Sequence, residues 1–318
     1  MPGSDVAGVH RDQYLTNLAR QYRPDLTKFI ADLVCPRVPV AHESDIYPVF
    51  SARDFFATDV PQLVADRSPA REIDTSYSSA PYQCYEYALK ASISRRERKN
   101  ADSIVRLEQR KVEAVADQLM LGREIRAAAL LRKTTNGGGL NLGAGVSNKW
   151  NVDAATIETD IKVGKQAIKT AIGLTANTIV IPQIVATEVA VQQDIRDLVK
   201  IAMTGVGVQN ILELGDLILP KKLWGLNVVV PDAQQITSAE GATDVYADIW
   251  GDNVRILYVD PTPDENTPSV AHSFVAEGKR VDRWTVNDPP GLEYFREGEI
   301  ISETITAPDA GYEITDVL

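Results

Sequence analysis

The chain runs to 318 residues, 44% hydrophobic and 24% charged, the balance of a globular protein with room for two packed units. Its formal net charge of −11 is uneven: residues 1–133 carry 20 Lys/Arg against 18 Asp/Glu, a net of +2, while residues 134–318 carry 13 against 26, a net of −13. That balance excludes a surface that grips phosphates over a large area, because nucleic-acid binders carry a basic excess.

Residues 1–45 read as an arm. Tyr14, Leu15, Leu18 and Tyr22 fall at helical spacing before Pro24, and a second helical patch over 26–34 stops before Pro36 and Pro39. Residues 46–90 then hold eight of the chain's 21 aromatics, interspersed with Pro48, Pro61, Pro69 and Pro81. From Tyr85 the apolar residues alternate as Tyr85, Tyr87, Leu89, Ala91 and Ile93, with Glu86, Lys90, Ser92 and Ser94 between them, the period of a half-buried strand. The stretch predicts a long two-stranded excursion with a polar tip near residues 66–79. An isolated hairpin is marginal in water, so its apolar face is expected against another surface, with a neighbouring copy of the chain the natural choice.

Residues 95–133 contain no proline and predict one continuous helix, ~55–60 Å long at 1.5 Å per residue. Val105, Val112, Val115, Leu119, Gly122, Ile125 and Ala129 give it an apolar face, without the sustained heptad of a coiled coil. Eleven basic residues against six acidic make it locally positive. The glycine-rich connector at 136–145 lacks the Gly-Lys-Ser/Thr ending of a phosphate-binding loop.

A compact α/β unit follows. Asp153 is placed to cap a helix carrying Ile157, Ile161, Ile168 and Ile172, with Gly173 at its end. Strands are predicted at 178–181 and 226–230, with helices from Pro182 through 199 and over 217–224, and a loop at 231–243. The remainder is mostly β: strands at 254–259, 270–276 and 281–286, then a terminal hairpin of 300–306 and 311–318 about Ala307-Pro-Asp-Ala310.

Chemistry is sparse. His10, His42 and His272 lie far apart without ligand spacing, and no Gly-x-Ser-x-Gly elbow is present. Asp260, Asp264 and Glu265 read as a solvated acidic turn, with a cation site the rarer alternative. No catalytic, cofactor-binding or metal-ligating set is therefore named, and the chain does not read as an enzyme. No apolar run approaches the length of a membrane span, and residues 1–10 lack the pattern of a secretion signal. Cys35 and Cys84 stand without a CxxC or a histidine neighbour and are expected as free thiols of a chain made in a reducing cytoplasm.

The order of elements resembles the tailed-bacteriophage major capsid proteins, whose icosahedral shell fold is shared with encapsulins. The stretches that carry the resemblance are Gly173-Leu-Thr-Ala-Asn-Thr-Ile-Val-Ile181, Trp250-Gly-Asp-Asn-Val-Arg-Ile-Leu-Tyr-Val259, Ser269-Val-Ala-His-Ser-Phe274 and Asp309-Ala-Gly-Tyr-Glu-Ile314. The resemblance implies an α+β fold with an N-terminal arm at 1–45 and an extended β-loop at 46–94. It further implies a long spine helix and connector of the peripheral domain at 95–150, a central α/β axial domain at 151–250, and peripheral β-strands with a C-terminal hairpin at 251–318. The implied function is a virion shell subunit, assembling in a bacterial host's cytoplasm into pentamers and hexamers around double-stranded DNA. The alternatives are an encapsulin-type nanocompartment and, in a different class, a soluble oligomeric hydrolase.

In this reading Phe50, Arg53, Phe55, Phe56, Arg67, Arg71, Tyr85 and Tyr87 belong to the contact of the extended loop with a neighbouring subunit. For the aromatics, packing against the chain's own long helix is an equal alternative. Arg95, Arg96, Arg98 and Lys99 form the sharpest basic cluster. It is either a lumenal contact with DNA, weak and non-specific, or paired with acidic groups or solvated. The family's lysine-to-asparagine crosslink is not expected, since no lysine lies between Lys28 and Lys90. The short arm implies a separate scaffold protein or an already trimmed product. Portal and decoration proteins complete the expected partners, and none of them is a membrane.

Overall fold

The computed structural model describes residues 10–22, 29–49, 63–64, 66, 69, 78–101, 104–134, 138–152, 155–196, 219–264, 267–286 and 291–318. Two sheets organise these residues. The first joins β1 (His10–Arg11), β13 (Ala271–Val286), β14 (Leu292–Ile305) and β5 (Tyr85–Ser94) in that order, with β2 (Arg37–Pro39) running parallel to β13. The second has the order β6 (Leu142–Gly145), β15 (Gly311–Thr315), β12 (Val254–Leu257), β7 (Thr178–Val180), β9 (Leu226–Val229), β8 (Lys222–Leu223).

Helices cover both sheets. In the arm, Asp12 caps α1 (Gln13–Gln21) by accepting from the Leu15 amide, and the short α2 (Ala31–Val34) follows. Leu15 and Ala19 are buried with Ile93, Val112, Val281 and Phe295, so the arm's apolar stripe packs onto the five-stranded sheet. The six-stranded sheet is covered by α5 (Ile157–Ile172) and accompanied by α6 (Gln183–Val191). Ile157, Ile161, Ile168 and Ile172 all point inward, as their spacing predicts, and Gly173 ends α5 in the left-handed conformation at φ 73°. Asn177 ties the sheet together: its Nδ2 donates to the Val259 carbonyl at 2.6 Å and its Oδ1 accepts from the Val259 amide at 3.1 Å.

Several expectations are corrected. The helix expected over 95–133 is two helices, α3 (Arg95–Asn100) and α4 (Ile104–Leu130), separated at Ala101, which is extended. Asn100, Asp102 and Ser103 are the reason legible in the chain, since such side chains compete for backbone hydrogen bonds and favour helix ends. The helix expected over 217–224 is, in its described part, the β8–β9 hairpin. Trp224 and Gly225 form its turn with φ 47° and 84°, the primed geometry that matches strand twist.

The loop expected at 231–243 contains β10 (Gln234–Ile236), which pairs with β11 (Tyr246–Asp248). The strands expected at 270–276 and 281–286 are one strand, β13, carried past two register shifts between Val275 and Arg280. The expected terminal hairpin does not form. Residues 300–305 belong to β14, while β15 crosses to the other sheet and lies between β12 and β6. The sheets therefore do not divide at residue 250, because β6 and β12 join β7 and β9. The expected cap Asp153 lies outside the described residues; α6 ends at Val191, Gln192 is extended, and the chain is helical again over 193–196, so the helix expected through 199 is interrupted at Gln192, with 197–199 outside the described residues.

Candidate assembly interface

The extended loop begins as β3 (Ser44–Val49) paired antiparallel with β4 (Ser78–Gln83). Alternation puts Tyr47, Val49, Ala80 and Tyr82 on one face. That face closes on Phe274 of β13: the Tyr82 ring stacks on it at 4.4 Å between centroids, and Tyr47 lies tilted at 5.6 Å. The Tyr47 hydroxyl donates to the Ile305 carbonyl at 3.2 Å, and the Cys84 thiol donates to the Phe274 carbonyl at 3.4 Å. The base of the hairpin is thus held by the chain's own body rather than by a neighbour. Ile46 lies on the opposite face and is exposed. Between the two strands in sequence, Leu63 is 94% exposed and Val64 is also exposed. Phe50, Arg53, Phe55, Phe56, Arg67 and Arg71 lie outside the described residues.

Tyr85 and Tyr87 lie on β5, which pairs in unbroken register with β14 from Tyr85↔Ile301 to Ser94↔Leu292. Their shared face looks toward α4. The Arg126 guanidinium of α4 lies 3.7 Å from the Tyr87 ring centroid, and the same guanidinium makes a bidentate pair with Glu303 at 2.8 and 3.0 Å. Tyr87 thus has an intramolecular partner, whereas Tyr85 stays 55% exposed and Leu89 45%.

The basic cluster opens α3. Ser94 and Glu97 form a capping box, and Glu97 also meets Lys111 at 3.4 Å. Arg98 is committed inward to Glu108 at 2.6 Å and to Glu293, while Arg95, Arg96 and Lys99 remain exposed. The four residues therefore do not act as one patch.

A feature missed in the sequence lies on β14. Glu293, Glu297, Glu299 and Glu303 share one face with Phe295 and Ile301, and all four are buried or nearly so. Glu293 meets Arg98 and Arg283, Glu299 meets Arg37 at 2.8 Å, and Glu303 meets Arg126 at 2.8 Å and Arg123 at 3.6 Å. Arg123 and Arg37 both also pair with Asp32, linking α4 to the arm. Among the described residues neither carboxylate oxygen of Glu297 has a hydrogen-bond partner. Burial pushes its pKa up to about 7, opposed by Lys279 and reinforced by Glu299 and Asp117. The odd-numbered spacing of these glutamates was visible, but their partners lie up to 262 residues away in the chain.

Elsewhere polar chemistry is structural. Arg255 is 1% exposed, donates to the Leu131 and Trp250 carbonyls, and pairs with Glu313 at 3.2 Å. Glu124 of α4 accepts from the Ile30 and Ala31 amides and, at 2.7 Å, from the Trp250 indole. Buried His272 has its pKa pushed down to about 4 by burial, and its Nδ1 lies 3.2 Å from the Thr306 hydroxyl. Asp260 accepts from the Thr262 amide in a local turn, and Glu265 lies outside the described residues. Cys35 and Cys84 are buried free thiols, and burial pushes that of Cys35 up to about 12. No group of three or more His, Cys, Asp or Glu placed to hold a metal occurs among the described residues, and no described helix is long and apolar enough to cross a membrane.

No protein-family model matches the chain. Over 315 residues it is 26% identical to the major capsid protein of Burkholderia phage BcepMu, covering 96% of each chain. A crystal structure of a phage-related protein from Bordetella bronchiseptica RB50 superposes with a TM-score of 0.72 at 21% identity, covering 96% of this chain and 97% of that one. The capsid of cyanophage P-SCSP1u superposes with a TM-score of 0.57 at 11% identity, covering 92% and 90%.

Proposed function

We propose that this chain, a member of the tailed-bacteriophage major capsid protein family, is the repeating structural subunit of an icosahedral virion shell that encloses double-stranded DNA. The observation that carries this reading is likeness from end to end to a phage major capsid protein, on a fold that exposes Leu63 and Val64 between, in sequence, the two strands of its anchored hairpin. Exposed apolar residues on an extended element are expected to be covered by another surface.

Residues 151–250, completed in their sheet by β6, β12 and β15, serve as the axial domain, around which pentamers and hexamers close. Residues 1–45 act as the arm, 46–94 as the extended loop, and the remainder of 95–150 and 251–318 as the peripheral domain. In the loop, Phe50, Arg53, Phe55, Phe56, Arg67 and Arg71 lie across a neighbouring subunit, a head-to-tail contact that closes within each ring. Tyr85 joins that contact more readily than Tyr87, whose ring is occupied by Arg126. Exposed Arg95, Arg96 and Lys99 are left for acidic groups of neighbours or for weak, salt-sensitive contact with packaged DNA. Assembly takes place in the host cytoplasm with a separate scaffold protein, a portal and a decoration protein as partners.

Electron microscopy of the purified chain, with size-exclusion chromatography at two concentrations, tests this reading. Shells or discrete ring-shaped capsomers are expected. A small oligomer unchanged by concentration overturns it in favour of a soluble enzyme, and particles isolated from producing cells that never contain double-stranded DNA point to a nanocompartment.

A further inference from the structure

Among the described residues β5 is the last strand of its sheet, ten residues long, with no strand against its outer edge. The direction of its backbone groups follows from the turn into α3. One residue past the Ser94↔Leu292 pair, the Arg95 amide donates to the Gly291 carbonyl at 3.0 Å, so Arg95 directs its backbone toward β14. Backbone groups alternate sides along a strand, so Glu86, Ala88, Lys90, Ser92 and Ser94 direct theirs outward. The outward Ser94 amide lies 3.4 Å from the Glu97 carboxylate, consistent with that parity. Natural edge strands are usually blunted by proline, a bulge or a covering element. Here the strand has no proline and pairs without a register shift.

We infer that this edge is completed by the same edge of a second copy of the chain, running antiparallel and centred on Ala88. The inference rests on the shell-subunit reading and adds to it a two-fold contact. Centring on Ala88 sets Glu86 opposite Lys90 twice, Tyr87 opposite Leu89 twice, and Ala88 opposite its own copy. The outward backbone groups of Glu86, Ala88 and Lys90 then face one another and form about six N–H···O=C bonds. Centring on Glu86 or on Lys90 sets like charges face to face, which cross-strand pairing disfavours.

The side chains are free for this arrangement. Both intramolecular ion pairs of Glu86, from Arg280 at 2.5 Å and Arg296 at 2.6 Å, fall on Oε1 and leave Oε2 for Lys90 of the second copy. Lys90 has no carboxylate partner among the described residues and lies 5.0 Å from the Tyr294 ring centroid. On the α4 face, exposed Leu89 gains cover between the two long helices. A patch that is complementary to itself is what a two-fold contact between rings requires.

The test places Ala88→Cys in the full chain and oxidises the assembled particles mildly. Facing Cα atoms at about 5.5 Å lie within disulfide range. Buried Cys35 and Cys84 make the parent chain a low-background control. The expected result is a disulfide-linked dimer as the main species on a non-reducing gel. Adding Lys90→Glu lowers its yield about fivefold, while Lys90→Arg preserves it. In the native-cysteine background Lys90→Glu, an exposed change outside both cores, raises the concentration needed to join capsomers. Particles whose introduced thiol stays free under oxidant, or a yield indifferent to Lys90→Glu, overturn the strand pairing and leave the shell reading standing. Absence of particles and capsomers alike overturns both.

Discussion

Under α5 and α6 the six-stranded sheet meets its cover through apolar side chains, whereas under α4 the five-stranded sheet meets its cover largely through charge. Ile157, Ile161, Ile168 and Ile172 close on Ile179, Ile256 and Leu257 in one dry cluster. The face of β14 below α4 alternates Glu293, Phe295, Glu297, Glu299, Ile301 and Glu303, and arginines of α3, α4, β2 and β13 answer three of the four glutamates. A close-packed apolar interface has one good arrangement, because any shift opens voids. The charged pairs here depend on long arginine side chains, several of which already reach two carboxylates: Arg123 meets Asp32 and Glu303, and Arg98 meets Glu108 and Glu293. The difference makes the apolar interface the more exacting of the two and the charged one the more tolerant of a small shift.

The sharpest way to break the comparison is at its exception, the buried pair Arg255–Glu313 inside the apolar body. Arg255→Leu removes the donor of the Leu131 and Trp250 carbonyls and the countercharge of buried Glu313, which keeps only the Lys133 amide and Asn253 Nδ2 as donors, and should cost roughly 3–5 kcal/mol. Urea denaturation followed by tryptophan fluorescence measures it, and a loss below about 1 kcal/mol would mean that the pair contributes little. Phe274→Ala removes the ring between Tyr47 and Tyr82 and should cost about 3 kcal/mol. The accompanying sign is faster proteolysis within residues 44–83; equal cleavage rates would show that the hairpin is held elsewhere.

Glu297 gives the smallest and most selective effect. Its folded pKa of about 7 stands above the ordinary 4.5, so the folded chain holds a proton that the unfolded chain releases. Stability therefore falls as pH rises from about 4.5 to about 7 and levels off above that. Glu297→Gln should remove this slope, stabilising by about 1–3 kcal/mol at pH 8 and hardly at all at pH 5. Thermal melts across that range read it out. An unchanged slope would mean that Lys279, rather than burial, governs the carboxylate.

Local pattern located much of this. The isoleucine spacing found α5 and its buried face, Gly173 marked its end, and the alternation from Tyr85 found β5. Where the reading failed, two local rules competed. Leu-Trp-Gly-Leu about Trp224 suits a helix end and a primed hairpin turn alike, and the Ala307–Ala310 turn signal was real but joined strands of different sheets. The basic run at residues 95–99 was visible, but not that Arg98 alone turns inward.

What the amino-acid order determined by itself was much of the succession of elements and the inward faces of α5 and β5, since these follow from periods of 3.6 and 2 and from local breakers; the resemblance to shell proteins rested instead on the order of the elements and on four short stretches of sequence. Only the tertiary structure decided that β6, β12 and β15 join one sheet, that Phe274 anchors the hairpin, and that β14's glutamates meet arginines from distant segments. Those outcomes depend on contacts between residues far apart in sequence, and no local period encodes which distant partner a side chain will meet.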